Sequence, residues 1–146
     1  MDKPWIAENN AERARLKALV ERLPDDQLQT PMAAGWTISG VLAHLAFWDG
    51  RALYYMDKWA GGAAPSQADW EPDDIDWIND SAKPLCLALP PRTAAELALK
   101  MAEDADRRVE ALPDDLLERA IAVTPPFSLS RAAHRKEHLD DIERYL

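Results

Sequence analysis

Residues 36–49 read WTISGVLAHLAFWD, and the pattern that begins here continues to the glycine pair at 61–62. Apolar residues recur at intervals of three and four, the spacing of one helix face: Ile38, Val41, Leu42, Leu45, Trp48, Ala52 and Met56. Thr37 or Ser39 is placed to cap this helix, because a short hydroxyl side chain accepts a hydrogen bond from a free backbone amide. Glycine is common just past a helix end. The stretch therefore predicts a long, largely buried helix.

Three further segments have the same period and are bounded by proline, a hydroxyl residue or the end of the sequence: residues 9–23, residues 93–112 and residues from about 128 to 146. Thr93 followed by Glu96 has the spacing of a capping box for the third helix, and Ser128 or Ser130 is placed to cap the fourth. No segment alternates apolar and polar residues as a strand does. We therefore predict an all-α fold: a four-helix bundle in one domain, residues 1–146, with a long crossover between helices 2 and 3.

The crossover, residues 61–92, contains five of the eleven prolines. It also carries four large apolar residues: Trp70, Ile75, Trp77 and Ile78. Because a loop of this length without structure is unusual in a compact domain, we expect a short helix over residues 73–82. Asp73 and Asp74 would lie in its first turn, where acidic side chains favour the helix dipole. The segment could act as a lid, or its tryptophans could simply cover one end of the core.

The sequence LPDD at residues 23–26 occurs again at residues 112–115, and a helix that carries histidine follows each copy. Two interpretations stay open. Either two similar helical hairpins pair in the bundle, or LPDD is ordinary chemistry for ending a helix and turning the chain.

Charge and composition exclude several functions. Lys and Arg number 17 against 26 Asp and Glu, a net charge of −9, which repels a phosphate backbone, so we do not expect nucleic-acid binding as the main role. The longest apolar stretch, residues 41–48, is far shorter than the roughly 20 residues that span a membrane. The start has no signal-peptide pattern, and the single Cys86 cannot form an intramolecular disulfide. We therefore expect a cytoplasmic protein.

All three histidines lie on predicted helices. His134 and His138 are four residues apart, so both imidazoles lie on one helix face, beside the apolar stripe that includes Leu139 and Ile142. His44 lies inside an apolar run. If the two helices are neighbours, three neutral imidazoles form a set that leaves a coordination position open, as in catalytic zinc sites. Zn²⁺ or Ni²⁺ suits imidazole; the alternative is three core histidines that are simply hydrogen-bonded.

Charged residues near these histidines have two possible roles. Asp49, Glu137 and Asp141 could orient the rings; the alternative for all three is a solvated helix surface, which suits Glu137 best. Arg131 and Arg135 approach the inner face of the last helix, where either could bind a carboxylate of a substrate or a thiol cofactor. The alternative for both arginines is that they reach solvent or pair with Asp or Glu.

Other kinds of site lack their residues. None of the three histidines has a glutamate three positions before it, so the Glu-x-x-His pairs of di-iron bundles are absent. The five glycines form no phosphate-binding loop. Cys86 lies in the apolar context PLCL, which raises a thiol pKa, so we expect a buried cysteine rather than a nucleophile.

The stretch WTISGVLAHLAFWD resembles the first signature of the DinB-like superfamily, and residues 134–142, HRKEHLDDI, resemble its closing signature. Asp76 and Asn79 match a further short motif between them. The resemblance implies an up-down-down-up four-helix bundle, often dimeric, with three ligands to a divalent metal: His44, His134 and His138. Arg135 departs from the pattern, since a tyrosine is common there, and prolines 84, 90 and 91 interrupt the start of the third helix.

Proteins of this superfamily are similar in fold but not in activity. They include thiol-dependent S-transferases and isomerases that use mycothiol or bacillithiol, among them the N-terminal domain of mycothiol-dependent maleylpyruvate isomerase, and also metal-dependent hydrolases. The resemblance therefore implies a metal-dependent enzyme of the thiol transferase or hydrolase type, acting on a small molecule, as a homodimer. The alternative is a metal-binding or stress-related interaction protein that catalyses nothing.

Overall fold

The computed structural model describes residues 1–69, 75–123 and 129–146, and these contain seven α-helices and two short 3₁₀ turns. The helices are α1 (Pro4–Arg22), α2 (Asp25–Leu28), α3 (Ile38–Ala60), α4 (Ile75–Ala88), α5 (Pro91–Glu110), α6 (Asp114–Val123) and α7 (Ala132–Glu143). The 3₁₀ turns are Ala33–Gly35 and Gln67–Asp69. Within the described ranges there is no β-strand, so the predicted all-α fold is confirmed.

The central helix is α3, which contacts α4, α5 and α7. Its N-cap is Thr37, whose side-chain oxygen accepts a hydrogen bond from the amide of Gly40 at 3.0 Å. Its C-cap is Gly61, as the sequence predicts. Gly40 also leaves room for α4, because a Cβ there would come within 2.8 Å of the Leu87 side chain. The first half of α3 is therefore enclosed on nearly all sides.

The main core lies between α1, α3, α5 and α7, the four helices that the sequence predicts. Helix α5 meets α3 through a row of buried small residues: Ala94, Ala95, Ala98, Ala102 and Ala105. Small side chains at a contact let two helix axes approach closely. A second cluster joins the far half of α3 to α6. The long bundle helices thus place α7 beside α3, where the histidines are.

Three helix starts differ from the sequence prediction. Helix α1 begins at Pro4 rather than near residue 9. Helix α5 begins at Pro91, so the predicted capping box at Thr93 is wrong, because a proline in the first turn is preorganised for the helix and starts it earlier. Helix α7 begins at Ala132 with Arg131 as its N-cap, so Ser130 does not cap it. The other proposed cap, Ser128, lies outside the described residues.

The crossover contains α4, which packs against α3. The helix extends to Ala88, beyond the predicted end at residue 82, and it includes Pro84. Its predicted first turn, Asp73 and Asp74, lies outside the described residues, as does Trp70. The prolines at 84, 90 and 91 therefore do not keep this region irregular: one lies within α4 and the other two start α5.

Both LPDD copies end one long helix and begin a shorter one. The first is followed by α2, of four residues, and the second by α6, of ten. In each copy the aspartate pair occupies the first turn, where it favours the helix dipole. The copies share this local chemistry, and the helices that they start differ in length. No helix in the described part of the chain has the length and apolar character to cross a membrane.

Candidate metal centre

The three histidines meet at the contact between α3 and α7. His44 comes from the first half of α3, and His134 and His138 come from successive turns of α7. The Nε2 atom of His134 lies 3.1 Å from Nε2 of His44 and 3.1 Å from Nε2 of His138. One nitrogen from each ring lies within 4.8 Å of the others. The predicted juxtaposition is thus present, and it joins two separate helices.

The spacing of these nitrogens fits a divalent ion. Zinc binds imidazole nitrogen at about 2.0–2.1 Å, so two ligands of a tetrahedral site lie about 3.3–3.4 Å apart. Two of the three pairs are close to this distance. Three nitrogen donors also suit zinc, nickel and other ions of similar hardness. His44, His134 and His138 could therefore hold one metal ion, and each ring would carry its proton on Nδ1.

Burial keeps the histidines neutral. It lowers the pKa of His44, which is 8% exposed, from 6.5 to about 4, and the charge of His138 adds to the effect. Burial is also the largest cause for His134, whose pKa falls to about 2, with further effects from the two other histidines, Arg131 and Arg135. Burial lowers the pKa of His138, although Glu137 and Asp141 oppose the change. At neutral pH all three rings are in the form that binds a metal.

The histidines line an open cavity of about 580 Å³, which is within the range of small-molecule sites. Trp36 forms one wall, with its ring edge-on to that of His44 at a centroid distance of 5.8 Å. Helix α4 also lines the cavity and contributes Asp76 and Asn79, the residues of the short motif in the crossover. The Asn79 side-chain oxygen accepts a hydrogen bond from the Trp48 indole at 2.8 Å, which fixes α4 on α3.

The lining of this cavity is acidic. Four carboxylates border it, Asp76 and Asp80 from α4 and Glu137 and Asp141 from α7. Among the described residues, no lysine or arginine lines it. Its remaining wall, made by residues 32–34 and Val41, is apolar. The cavity therefore favours neutral or cationic groups over anions.

The two arginines proposed to bind substrate are paired inside the protein. Arg135 is 1% exposed and donates to Asp106 at 2.7 and 2.8 Å and to Asp49 at 3.2 Å. The Nε atom of Arg131 donates to Asp49 at 2.9 Å. Neither arginine lines the histidine cavity. The pairing alternative left open by the sequence is the arrangement observed, so Arg135 has no access to a ligand; substrate contact by Arg131 stays a prediction.

Burial lowers the pKa of Arg135, but Asp49 and Asp106 more than offset the effect, so its pKa is raised overall. Asp106 was missed by sequence reasoning, because it stands in the charged run EDADRR and resembles a solvated surface residue. One signal was available. Asp106 follows Ala102 by four residues and precedes Val109 by three, which places it on the buried face of α5.

Two other predicted residues have clear positions. Asp141 is half-buried at the cavity and pairs with Arg144 at 3.1 Å. Cys86 is buried, and burial raises the pKa of its thiol. It lines a separate apolar cavity rather than the histidine site. This agrees with the expectation of a structural cysteine.

The comparisons with known proteins agree with the motifs. No curated protein and no solved structure matches the chain. The model of the DinB superfamily matches residues 8–138. The matched region extends from α1 to the last of the three histidines, so it includes the first signature stretch, the first five residues of the closing one and the whole histidine cluster. With most of its length covered by this one family model, the chain belongs to the DinB superfamily.

Proposed function

We propose that the protein is an enzyme that depends on one divalent ion, Zn²⁺ or Ni²⁺, held by His44, His134 and His138. The observation that carries this proposal is the convergence of three neutral imidazole nitrogens on the wall of an open cavity. A closed structural zinc site uses four protein ligands, whereas three leave room for a reactant. When bound, such an ion supplies Lewis acidity that lowers the pKa of a water molecule or thiol in the cavity.

The reaction type that fits is nucleophilic attack by a small thiol, as in an S-transferase, or by water, as in a hydrolase. The protein's own residues then have separable roles. Trp36 and the apolar wall exclude bulk water from one side of the nucleophile. Glu137 and Asp141 line the same cavity and can accept the proton that the thiol or water gives up. Asn79, through its hydrogen bond with Trp48, holds α4 against α3 beside the cavity.

The acidic lining bears on the choice of substrate. A reactant with carboxylates of its own would meet four carboxylates, one of them paired with Arg144, and the charge of a bound divalent ion offsets them only in part. We infer that the thiol or the electrophile carries neutral or cationic groups, rather than carboxylates, near its reacting atom.

Metal content tests the proposal most directly. Mass spectrometry on protein purified without a His-tag should find close to one divalent ion per chain, and a His138→Ala variant should hold little. Arg22→Ala is a matched control on the surface, because it removes an ion pair between α1 and α7 without touching the site. Absence of metal after incubation with Zn²⁺ and Ni²⁺, or equal metal in wild type and His138→Ala, would overturn the proposal.

A second experiment separates an enzyme from a protein that only binds metal. In cobalt-substituted protein, the visible spectrum should change when a small thiol or azide enters the open coordination position. An unchanged spectrum would favour the alternative of an inert metal-binding or stress-related interaction protein. That test is independent of knowing the natural substrate.

One observation favours an interaction role in addition. An apolar cavity of about 470 Å³ opens between α3, α4 and α5, and Leu85 and Phe47 at its edge are 69% and 41% exposed. Exposed apolar patches of this kind mark interaction sites. We propose that it contacts a second copy of the chain in a cytoplasmic homodimer. Light scattering should show a dimer that Leu85→Glu converts to a monomer; a monomeric wild type would contradict it.

A further inference from the structure

We propose that Asp49 is a positioning residue of the metal centre: through Arg131 and Arg135 it holds α7 at the distance from α3 at which the three histidines converge. The inference rests on the proposed function, since it concerns the same site. It assigns Arg131 and Arg135 a role that the sequence did not indicate.

The geometry links the two ligand-bearing helices through one carboxylate. Asp49 follows His44 by five residues on α3. One of its oxygens accepts from Nε of Arg131 at 2.9 Å, and the other accepts from Nη2 of Arg135 at 3.2 Å. Arg131 precedes His134 by three residues, and Arg135 follows it by one. We call these three residues the clamp: Asp49, Arg131 and Arg135. The clamp therefore binds α7 to α3 on both sides of His134.

Helix α7 has a smaller contact with α3 than with α1. The clamp is buried, with Asp49 3% exposed and the Arg131 side chain 12% exposed. A buried charge that loses its partner is strongly destabilising. Moving α7 away from α3 would therefore be costly, because it would leave Asp49 and the two arginines buried without their partners. The clamp thus favours one arrangement of α7 on α3, and in that arrangement His44 and His134 are in contact.

Asp106 provides a matched comparison. It is also buried and accepts from Arg135 through both oxygens, at 2.7 and 2.8 Å, and from Arg13 at 2.6 Å, but it lies on α5, which carries no histidine. Asp49→Asn and Asp106→Asn each remove one buried negative charge and preserve the size of the side chain. If Asp49 acts only through stability, the two variants should behave alike.

The test measures zinc affinity of the full chain by competition with a chelating dye, beside the urea midpoint of each variant. We expect both variants to be less stable, and only Asp49→Asn to bind zinc about tenfold or more weakly, the range for residues that orient metal ligands. Arg131→Gln removes one of the two hydrogen bonds to Asp49 and should weaken zinc binding by less than Asp49→Asn does. This variant also tests the inference if Asp49→Asn fails to fold. Equal zinc affinities in wild type and Asp49→Asn, or equal losses in the two aspartate variants, would overturn the inference.

A metal-free measurement separates this inference from the proposed function. Nitrogen NMR of the imidazoles reports the contact between His44 and His134 without any ion. We expect Asp49→Asn to change these signals and Asp106→Asn to leave them near their wild-type positions. Wild type that binds no zinc would end the proposed function, and the NMR comparison would still decide whether Asp49 positions the rings. Unchanged signals in Asp49→Asn would refute the clamp.

Discussion

Acidification of the metal-free protein should destabilise it through the histidines. The pKa of His44 falls from 6.5 to about 4 on folding. Since the folded pKa is the lower one, the unfolded chain takes up a proton first as the pH falls. Stability is therefore fully present above about pH 6.5 and is lost as the pH decreases toward about 4.

The magnitude follows from the shift. One pKa unit corresponds to about 1.4 kcal/mol, so His44 alone should remove about 3 kcal/mol from the free energy of unfolding across this interval. His134 has the same sign and adds to the loss. Its contribution is not simply additive, because the charges of the neighbouring histidines are among the causes of its shift. For a domain stable by about 5–15 kcal/mol, this is a large fraction of the total.

Urea unfolding with a chelator present, at several pH values between about 7.5 and 4.5, measures the loss. Asp140, whose pKa is lowered from 3.8 by hydrogen bonds from Lys136 and Arg15, loses its contribution only as the pH falls below that value, outside the interval. A His44→Gln variant should lose less stability on acidification than the wild type. Constant stability across the interval, or stability that rises as the pH falls, would refute the view that the rings are buried neutral.

Three further predictions address the cap, the cavity charge and the cysteine. Thr37→Ala should lower the free energy of unfolding by about 1 kcal/mol in urea titrations, because the cap of α3 is lost; Ser39→Ala should cost much less, and the reverse order would contradict the assignment. In cobalt-substituted protein, cysteamine should bind more tightly than mercaptoethanol, and mercaptopropionate most weakly. In Glu137→Gln, the ratio of affinities between two thiols that differ by one unit of charge should fall by about twofold, since a carboxylate about 8 Å away in water contributes about 0.5 kcal/mol. Unchanged affinity ratios in the variant would show that the acidic lining does not cause the preference. Alkylation of Cys86 by iodoacetamide should occur only as the protein unfolds, because the thiol is buried and its pKa is raised; fast labelling of folded protein would disprove this.

Local chemistry predicted the helices wherever one signal dominated. Helix α3 has a clear hydroxyl cap and a glycine end, and both are where the sequence places them. The start of α5 carries two competing signals, and the proline pair at 90–91 begins the helix before Thr93 can cap it. In such places the sequence shows that a helix exists but not where it begins.

The first turns of α1 were missed because what holds them is tertiary. They lack an apolar period, yet Asn9 is buried. Its amide nitrogen donates to the Leu129 carbonyl, and its oxygen accepts from the Ala132 amide at the start of α7. A polar residue with such partners is buried at little cost, but those partners are more than a hundred residues away. No local pattern contains these partners; the local signal for the early start was Pro4, at the first position of the helix.

In the candidate site, too, residues with a local sequence signal could be predicted, and contacts between distant residues could not. The histidines could be identified because four-residue spacing and an apolar run are local features, and the cluster is present. Pairing of Arg135 with an acidic residue was one of the alternatives, but its partners could not be predicted, since the two carboxylates come from other helices. Asn79 and Asp76 entered only through the crossover motif, and their place on the cavity wall required the position of α4.

Helix α7 carries a buried neutral imidazole, His134, next to a buried charged guanidinium, Arg135. Burial keeps His134 neutral, whereas Asp49 and Asp106 keep the adjacent Arg135 charged. A guanidinium without these carboxylates would repel any cation that the histidines attract. The partner carboxylates screen it, and because Asp49 lies on the same helix as His44, one residue both compensates the charge and sets the spacing of the helices. We therefore expect the affinity of the centre for a cation to depend on Asp49 as well as on the three histidines.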